Sequence, residues 1–274
     1  MYPTLFEVPS LHLTIPAYST MIVLAVVICD AIGPRWIAAL EGLDRGRALR
    51  ALLLVGAAAF VGGRLHFVLV RWADFAHRPL AALEVWSGGL HAGGALVMMA
   101  LTAPFLLRWL QLPLARFADG LTPITGIGIA IARLGCFLNG CCFGSICRWP
   151  WCLSFPRSSF IYDFHARLGL LPAAAARTLP VHPLQLYFAG LGLLVTAVAL
   201  WLHPRRRYEG EVALVGLALY SAGAAALELL RADFRQVYWG PLPQLEWVAL
   251  AMAAISLGTL AASEFEHRRG WRAG

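Results

Sequence analysis

The sequence predicts an all-α integral membrane protein with seven transmembrane helices, its N-terminus outside and its C-terminus in the cytoplasm. Hydrophobic residues make up 59% of the 274 residues and charged residues only 14%, whereas an average soluble domain has about 25% charged residues. Seven stretches come close to the roughly 20 apolar residues that a membrane-spanning helix needs. We find no internal repeat, so residues 1–274 are predicted to form a single transmembrane domain.

The predicted spans follow one another along the whole chain. In order they are residues 15–33, 51–70, 88–107, 121–138, 184–202, 212–230 and 245–262. No Lys or Arg precedes Arg35, unlike the start of a cleavable signal peptide, so we expect the first span to be retained. The fourth span is interrupted by Arg133 and is rich in glycine, which is tolerated where backbone lines a cavity or is buried in protein.

Arginine is the residue type at all 22 basic positions, and its distribution sets the predicted orientation. With the N-terminus outside, the cytoplasmic segments carry twelve arginines and the external segments seven. The positive-inside rule therefore favours N-out/C-in. The long 148–181 connection is then an external loop or lid element. The net charge of +7 fits arginines beside anionic lipid, and we expect no nucleic-acid partner because no basic helix lies on a soluble domain.

Charged groups within spans indicate function, because they are costly in a bilayer. Three arginines, Arg64, Arg133 and Arg231, stand against one nearby carboxylate, Glu228. We expect the surplus positive charge to bind an anion, and a lipid phosphate is the abundant anion in a bilayer. For Arg64 and Arg231 the alternative is snorkelling to an interface or, for Arg231, pairing with Glu228 at i,i+3 spacing.

One histidine and one tyrosine complete the candidates that the residues themselves suggest. His91 lies between two Gly-Gly pairs, where the backbone is open enough to admit a ligand, so it is a candidate proton acceptor. His66 is expected to be a helix-packing residue. Tyr18, at the start of the first span, has the position of an interfacial anchor.

Residues 132–144, Ala-Arg-Leu-Gly-Cys-Phe-Leu-Asn-Gly-Cys-Cys-Phe-Gly, are the most specific segment. They resemble the signature Gly-Arg-x-Gly-Asn-Phe-x-Asn-Gly-Glu-x-x-Gly of the bacterial prolipoprotein diacylglyceryl transferases. Other segments are similar to family motifs in the same order: Pro-Ala-Tyr-Ser at 16–19, Gly-Arg-Leu at 63–65, His-Pro-Leu-Gln-Leu-Tyr at 182–187, Glu-Leu-Leu-Arg at 228–231 and Gln-Leu at 244–245.

The resemblance implies a reaction and its participants. A preprolipoprotein cysteine thiol receives the diacylglyceryl group of phosphatidylglycerol, or of a related phospholipid, and glycerol phosphate leaves. We expect the bacterial cytoplasmic (inner) membrane as the location, the preprolipoprotein signal peptide as partner, and no cofactor. The catalytic residues would be His91, Arg133 and Arg231, and the substrate-binding residues Tyr18, Arg64, Cys136, Asn139, Gly144, Gln185 and Glu228.

The chain departs from the family pattern at four places. Cys136 replaces the first signature asparagine, Cys141 the glutamate, and Phe188 the glutamate after Leu-Tyr. Ala92 holds the usual histidine position, so His91 is displaced by one residue, which is about 100° on a helix. Two alternatives therefore remain open: a paralog with a different acceptor or donor lipid, or a non-catalytic lipid-binding or thiol-redox membrane protein.

Five of the six cysteines cluster after the fourth span, with the spacing C-x4-C-C-x4-C-x4-C. This is neither a zinc-ribbon nor an iron–sulfur pattern, so we expect no metal site. A Cys147–Cys152 disulfide that closes a small loop is one prediction. Apolar packing of buried thiols is the other, and it is the role that we expect for Cys29.

Overall fold

The computed structural model describes residues 4–8, 13–85, 88–172, 174–232, 238–239 and 242–272. Nine α-helices lie in these ranges: α1 (Ala17–Glu41), α2 (Arg45–Val70), α3 (Trp72–Phe75), α4 (Ala92–Trp109), α5 (Leu114–Asn139), α6 (Phe160–Arg167), α7 (Leu184–Leu202), α8 (Glu211–Glu228) and α9 (Gln244–Arg272). Short 3₁₀ helices span Pro79–Leu83 and His203–Arg205. Two small antiparallel ribbons pair β1 (Thr4–Val8) with β2 (Leu13–Pro16) and β3 (Tyr238–Trp239) with β4 (Leu242–Pro243).

Six helices in the described part of the chain are long and apolar enough to cross a membrane: α1, α2, α4, α5, α8 and the continuous helix Leu184–Arg205 that contains α7. The all-helical, multi-pass class of the chain is therefore confirmed. The seventh predicted span falls on α9, whose described apolar part, Trp247–Ser263, is shorter than the other six. The count of seven and the N-out/C-in orientation stay predictions.

α2 and α5 begin at Arg45 and Leu114, ahead of the predicted residues 51 and 121. Two further boundaries differ for a reason that the backbone shows. α1 continues to Glu41, past the predicted end at residue 33, because Pro34 is accommodated inside the helix. α4 begins at Ala92 rather than at residue 88, because Gly88 and Gly89 both adopt positive φ, at 83° and 86°, and cannot continue a right-handed helix. This second difference places His91 just before a helix.

The chain groups into two compact units, one formed by Met1–Cys29 with Leu121–Gly274 and the other by Asp30–Gly120. In the Asp30–Gly120 unit, α2 and α4 approach closely at Gly62 and Gly94. A Cβ atom on Gly62 would collide with the Gly94 carbonyl, and a Cβ on Gly94 with the Gly62 carbonyl. Small residues at a helix–helix contact allow this close packing in a membrane protein.

In the other unit, the segment that the signature predicts to be functional begins on α5 and continues past the end of this helix at Asn139. Thr196 on α7 donates its hydroxyl to the Pro123 carbonyl of α5 at 2.8 Å and so ties these two helices together. Beyond α5, Phe143, Phe155 and Val181 join a fully buried hydrophobic cluster. This core attaches the 148–181 segment to the end of α5.

Backbone and covalent links also hold the 148–181 segment in place. Val181 bridges to both Ile146 and Leu153. The disulfide between Cys147 and Cys152 is present, so that prediction is confirmed. The segment is thus an ordered layer with its own core.

Candidate active site

The signature segment ends in a tight turn that folds back on α5. α5 stops at Asn139, Gly140 takes a positive φ of 70°, and the Cys141 N–H donates to the Cys136 carbonyl at 3.1 Å. The turn therefore returns Cys141 to the last turn of the helix.

Gly144 joins three of the segments that the sequence singled out. Its N–H donates to the His182 carbonyl at 3.1 Å, and the next residue, Ser145, donates to the Leu230 carbonyl at 2.7 Å. A Cβ on Gly144 would lie 2.7 Å from the His182 Cβ and 3.1 Å from the Leu230 oxygen. Only glycine allows this approach, so Gly144 is required where the 132–144, 182–187 and 228–231 segments meet.

Arg231 forms a buried ion pair with Glu228. The Arg231 Nη1 atom lies 2.9 Å from Glu228 Oε1 and 3.2 Å from Oε2, and the two side chains are 9% and 6% exposed. The Arg231 Nη2 atom donates to Cys142 Sγ at 3.5 Å. The pairing alternative is confirmed, and the same guanidinium also contacts a thiol.

Arg133 has different neighbours. Its guanidinium lies 4.1 Å from the centre of the Phe188 ring and is within electrostatic reach of Tyr220, Cys136 and Cys142. None of these described neighbours is a carboxylate. Because Phe188 stands where the family pattern has a glutamate, a cation–π contact replaces a potential ion pair and leaves the arginine charge available to an anion.

Gln185 holds the cysteine turn, the backbone turn of residues 136–142 that contains Cys136, Cys141 and Cys142. Its side chain is fully buried, and Nε2 donates to the Cys141 carbonyl at 2.7 Å. Among the described residues, Gln185 Oε1 is a buried atom with no hydrogen-bond partner. The amide thus fixes the turn with its donor side.

Tyr18 and Asn139 lie at the edges of this site. Tyr18 is 41% exposed at the start of α1 and within electrostatic reach of the three cysteines of the turn and of Arg133. Asn139 is the last residue of α5 and is partly buried. Their substrate contacts, like the roles of the other predicted site residues, stay predictions.

His91 belongs to the Asp30–Gly120 unit, where it caps the N-terminus of α4. Its backbone is extended, with φ −106° and ψ 122°, and its N–H donates to the Gly63 carbonyl at 3.0 Å. Since His91 precedes the helix, the one-residue displacement from Ala92 is not a 100° rotation on a helical surface. His91 has an extended backbone and Ala92 is the first residue of α4, so the two side chains are not related by the geometry of one helix.

The His91 imidazole packs against a second histidine. The His66 and His91 ring centres are 5.0 Å apart, edge to face. His66 Nδ1 is buried and has no hydrogen-bond partner among the described residues. A mostly apolar cavity of ≈ 250 Å³ opens beside them, lined by Gly62, His66, Gly93 and Gly94 among others. Burial, His66 and Arg71 all lower the pKa of His91, which favours the neutral imidazole.

Arg64, in the same unit, donates its guanidinium hydrogen bonds to backbone carbonyl groups. All five of its N–H donors meet carbonyl oxygens: Nε on Ala82 at 2.9 Å, Nη2 on Ala81 and Glu84 at 3.0 and 3.1 Å, and Nη1 on Gly89 at 3.1 Å and on Gly88. The side chain is 7% exposed. Arg64 thus anchors residues 81–84 and 88–89, which precede His91.

Sequence reasoning missed several of these contacts. Tyr220 lies in the middle of an apolar helix, and no pattern marks it as a partner of Arg133. Cys142 is adjacent to the signature cysteine position, yet its contact with Arg231 joins residues 89 positions apart. The carbonyls around Arg64 leave no trace in the sequence, because every residue type has one.

Buried arginines, a glycine turn at the end of α5 and an ordered 148–181 segment mark a multi-pass helical membrane protein with a polar site at the end of α5. A profile of the family "prolipoprotein diacylglyceryl transferase" matches residues 3–262 of the chain. The chain belongs to this family.

Individual relatives agree with the profile. The chain is 29% identical over 230 residues to the phosphatidylglycerol–prolipoprotein diacylglyceryl transferase of Rhodococcus jostii, an alignment that covers 82% of this chain and 64% of that protein. It is 30% identical over 237 residues to the enzyme of the same name from Parasynechococcus marenigrum, covering 84% and 80%. It is 29% identical over 266 residues to the enzyme of the same name from Synechococcus elongatus, and this alignment covers 94% of this chain and 85% of that protein.

Proposed function

We propose that this chain transfers the diacylglyceryl group of phosphatidylglycerol to the thiol of a preprolipoprotein cysteine and releases glycerol phosphate. The family match over residues 3–262 supports the reaction class. The observation that carries the proposal is the meeting of three family-like segments at Gly144, where the Arg231–Glu228 pair and the cysteine turn lie together.

The reaction is a displacement at a glyceryl carbon. The thiol sulfur forms a bond to that carbon, the carbon–oxygen bond to phosphate breaks, and glycerol phosphate leaves with the electron pair. Such a step needs positive charge where the departing phosphate gains negative charge, and a group that takes the thiol proton. Arg133 and Arg231 provide the positive charge, and His91 is the proton acceptor. Tyr18, Arg64, Cys136, Asn139, Gly144, Gln185 and Glu228 bind or position the substrates.

The membrane arrangement of the proposal has seven spans. α9 is the seventh, the N-terminus is outside, and the C-terminus is cytoplasmic, as the arginine distribution favours. The 148–181 segment is then external, on a single transmembrane domain in the bacterial cytoplasmic membrane. Phosphatidylglycerol reaches the site from the bilayer, and the preprolipoprotein signal peptide brings the acceptor cysteine.

Rescue of a transferase-depleted bacterium tests the proposal. Expression of the chain should restore growth, and mass spectrometry should find diacylglyceryl thioether on the lipoprotein cysteines. Arg133→Ala should abolish rescue while the protein stays in the membrane. The control is Arg205→Ala, at an exposed arginine just after α7, which should rescue normally. A folded, membrane-inserted wild-type chain that modifies no lipoprotein would contradict the proposed function.

A further inference from the structure

Three cysteine sulfurs converge at the end of α5. The Sγ atoms of Cys136, Cys141 and Cys142 all lie within 4.8 Å of one another. Cys136 and Cys141 are each 7% exposed, while Cys142 is only partly buried. All three are thiols rather than disulfide partners. Two of the three thiols are thus buried, and the third is partly exposed.

This arrangement fits a thiophilic divalent ion. Zinc–thiolate bonds are about 2.3 Å long, so three ligands of a tetrahedral zinc ion lie about 3.8 Å apart. The observed limit of 4.8 Å is therefore about 1 Å wider at most than a metal-bound set, a difference that χ1 rotation closes. The backbone is already fixed by the Cys141 N–H bond to the Cys136 carbonyl and by the Gln185 bond to the Cys141 carbonyl.

The surrounding charge suits a thiolate site. Three thiolates and one Zn²⁺ carry a net charge of −1, which a buried site must balance. Arg133, within electrostatic reach of Cys136 and Cys142, provides the balancing charge, while Arg231, whose charge is paired with Glu228, donates a hydrogen bond to Cys142 Sγ at 3.5 Å. Donors that contact ligand sulfurs from outside orient them and tune a metal site.

We propose that Cys136, Cys141 and Cys142 bind one zinc ion through three thiolates, and that the fourth position of the ion takes the acceptor cysteine thiol. The second half rests on the proposed function, in which the acceptor is a thiol. The site is not part of the family signature, which has asparagine and glutamate where Cys136 and Cys141 stand.

The zinc ion changes how the acceptor thiol is activated, but the bonds formed and broken in the overall reaction stay the same. On coordination the acceptor S–H loses its proton to the general base, since a coordinated thiol is deprotonated. The zinc-bound sulfur then forms the bond to the glyceryl carbon, and the carbon–oxygen bond breaks with its electron pair passing to the phosphate. The product is a neutral thioether, a weaker ligand than a thiolate, so it leaves the ion. Zinc keeps its +2 charge throughout.

Metal binding is measured on the full chain purified in detergent with the Cys147–Cys152 disulfide intact. We expect one zinc ion per chain after incubation with Zn²⁺ and removal of excess. Co²⁺ in its place should give thiolate-to-cobalt charge-transfer absorption and the visible bands of a tetrahedral ion. Cys136→Ser, Cys141→Ser and Cys142→Ser should each lose both signals, whereas Cys29→Ser, whose sulfur contacts the Ile124 carbonyl instead, should keep them. Wild type without thiolate–cobalt bands, or with zinc content equal to that of Cys136→Ser, would overturn the site.

The fourth position is tested with a short peptide that carries the acceptor cysteine. Adding it to the cobalt-loaded chain should shift the visible bands, and the same peptide with serine in place of cysteine should not. An unchanged spectrum with the cysteine peptide would overturn the acceptor half of the proposal.

These measurements are independent of lipid transfer. A chain that rescues the depleted bacterium but binds no zinc through the three cysteines contradicts the zinc site and leaves the proposed function standing. A chain whose cobalt spectrum responds to the cysteine peptide, but which modifies no lipoprotein, retains the zinc site and contradicts the proposed function.

Discussion

Arg231 and Glu228 form an ion pair just past the end of α8, with 2.9 Å between Nη1 and Oε1 and side chains that are 9% and 6% exposed. The same arginine donates to Cys142. One side chain therefore links the end of α8 to the turn that follows α5. Removing either member of a buried pair leaves an uncompensated charge, so this contact is a sensitive point of the site.

Glu228→Gln should destabilise the protein by about 3–5 kcal/mol, the usual cost of breaking a buried ion pair from one side. Thermal unfolding in detergent micelles measures the loss. The matched control is Asp74→Asn, since Asp74 pairs with Arg71 at the same i,i+3 spacing but the two side chains are 58% and 59% exposed. That substitution should cost at most about 1 kcal/mol. Equal effects of the two substitutions would show that burial of the first pair is not what matters.

Gln185→Leu should lower lipid transfer at least about tenfold, because it leaves the buried Cys141 carbonyl without its donor and loosens the turn, at a cost of about 1–3 kcal/mol. Transfer per folded molecule is the quantity to measure. Thr196→Val is the control, since Thr196 also donates from a buried side chain, to the Pro123 carbonyl between α7 and α5. It should lower stability by a similar amount and keep transfer per folded molecule unchanged. A Gln185→Leu variant with normal transfer would remove Gln185 from the site.

His91→Ala should lower transfer by about 10²- to 10⁴-fold, the range that a general base contributes. His77→Ala, at an exposed histidine in the same unit, is the control and should be near normal. Steady-state rates with a cysteine peptide and phosphatidylglycerol vesicles make the comparison. Near-normal rates for His91→Ala would mean that another group takes the thiol proton.

The 148–181 segment should lose stability in mild acid through His165. Burial on α6 against Phe143 and Phe164 lowers the pKa of His165 below its usual value of 6.5. The unfolded state therefore binds more protons between the lowered pKa and 6.5, so stability rises with pH across this window and falls as the pH drops through it. Proteolysis of the segment at several pH values measures this, and His165→Phe should remove the dependence. A variant that keeps the full pH dependence would assign it to another group.

Cysteine labelling tests the orientation. With the N-terminus outside, a membrane-impermeant maleimide should label Ser158→Cys in intact cells and should not label Arg205→Cys until the cells are opened. Both positions are exposed, so accessibility in the folded protein does not separate them. External labelling of Arg205→Cys would reverse the proposed topology.

Most of the helical architecture follows from the sequence, because a long apolar stretch without charges has few alternatives in a membrane. The six described spans all coincide with predicted ones. The start of α4 was harder to predict from the sequence. Two glycines with positive φ, rather than a loss of hydropathy, delay the helix to Ala92.

The candidate site was harder to predict, for two physical reasons. The linear spacing of the cysteines did not show that three of their sulfurs lie together. Here the chain turns back at Gly140, so residues on either side of a helix end bring their sulfurs together. Arg64 was expected to need an anion, yet its charge is dispersed over five carbonyl dipoles, and the conformation of a loop with few distinctive side chains decides that.

The shell of carbonyls around Arg64 also bears on how the protein is made. Ribosomes complete α2 before residues 81–89 exist, so Arg64 first meets the membrane without its acceptors. An arginine in that state costs about 2.5–3.5 kcal/mol at the centre of a bilayer, less near a helix end where it reaches the interface. The next two dozen or so residues must then emerge and fold around the guanidinium before α2 settles at its final depth. We therefore expect α2 to reach its final depth in the membrane only after the segment that precedes α4 has emerged.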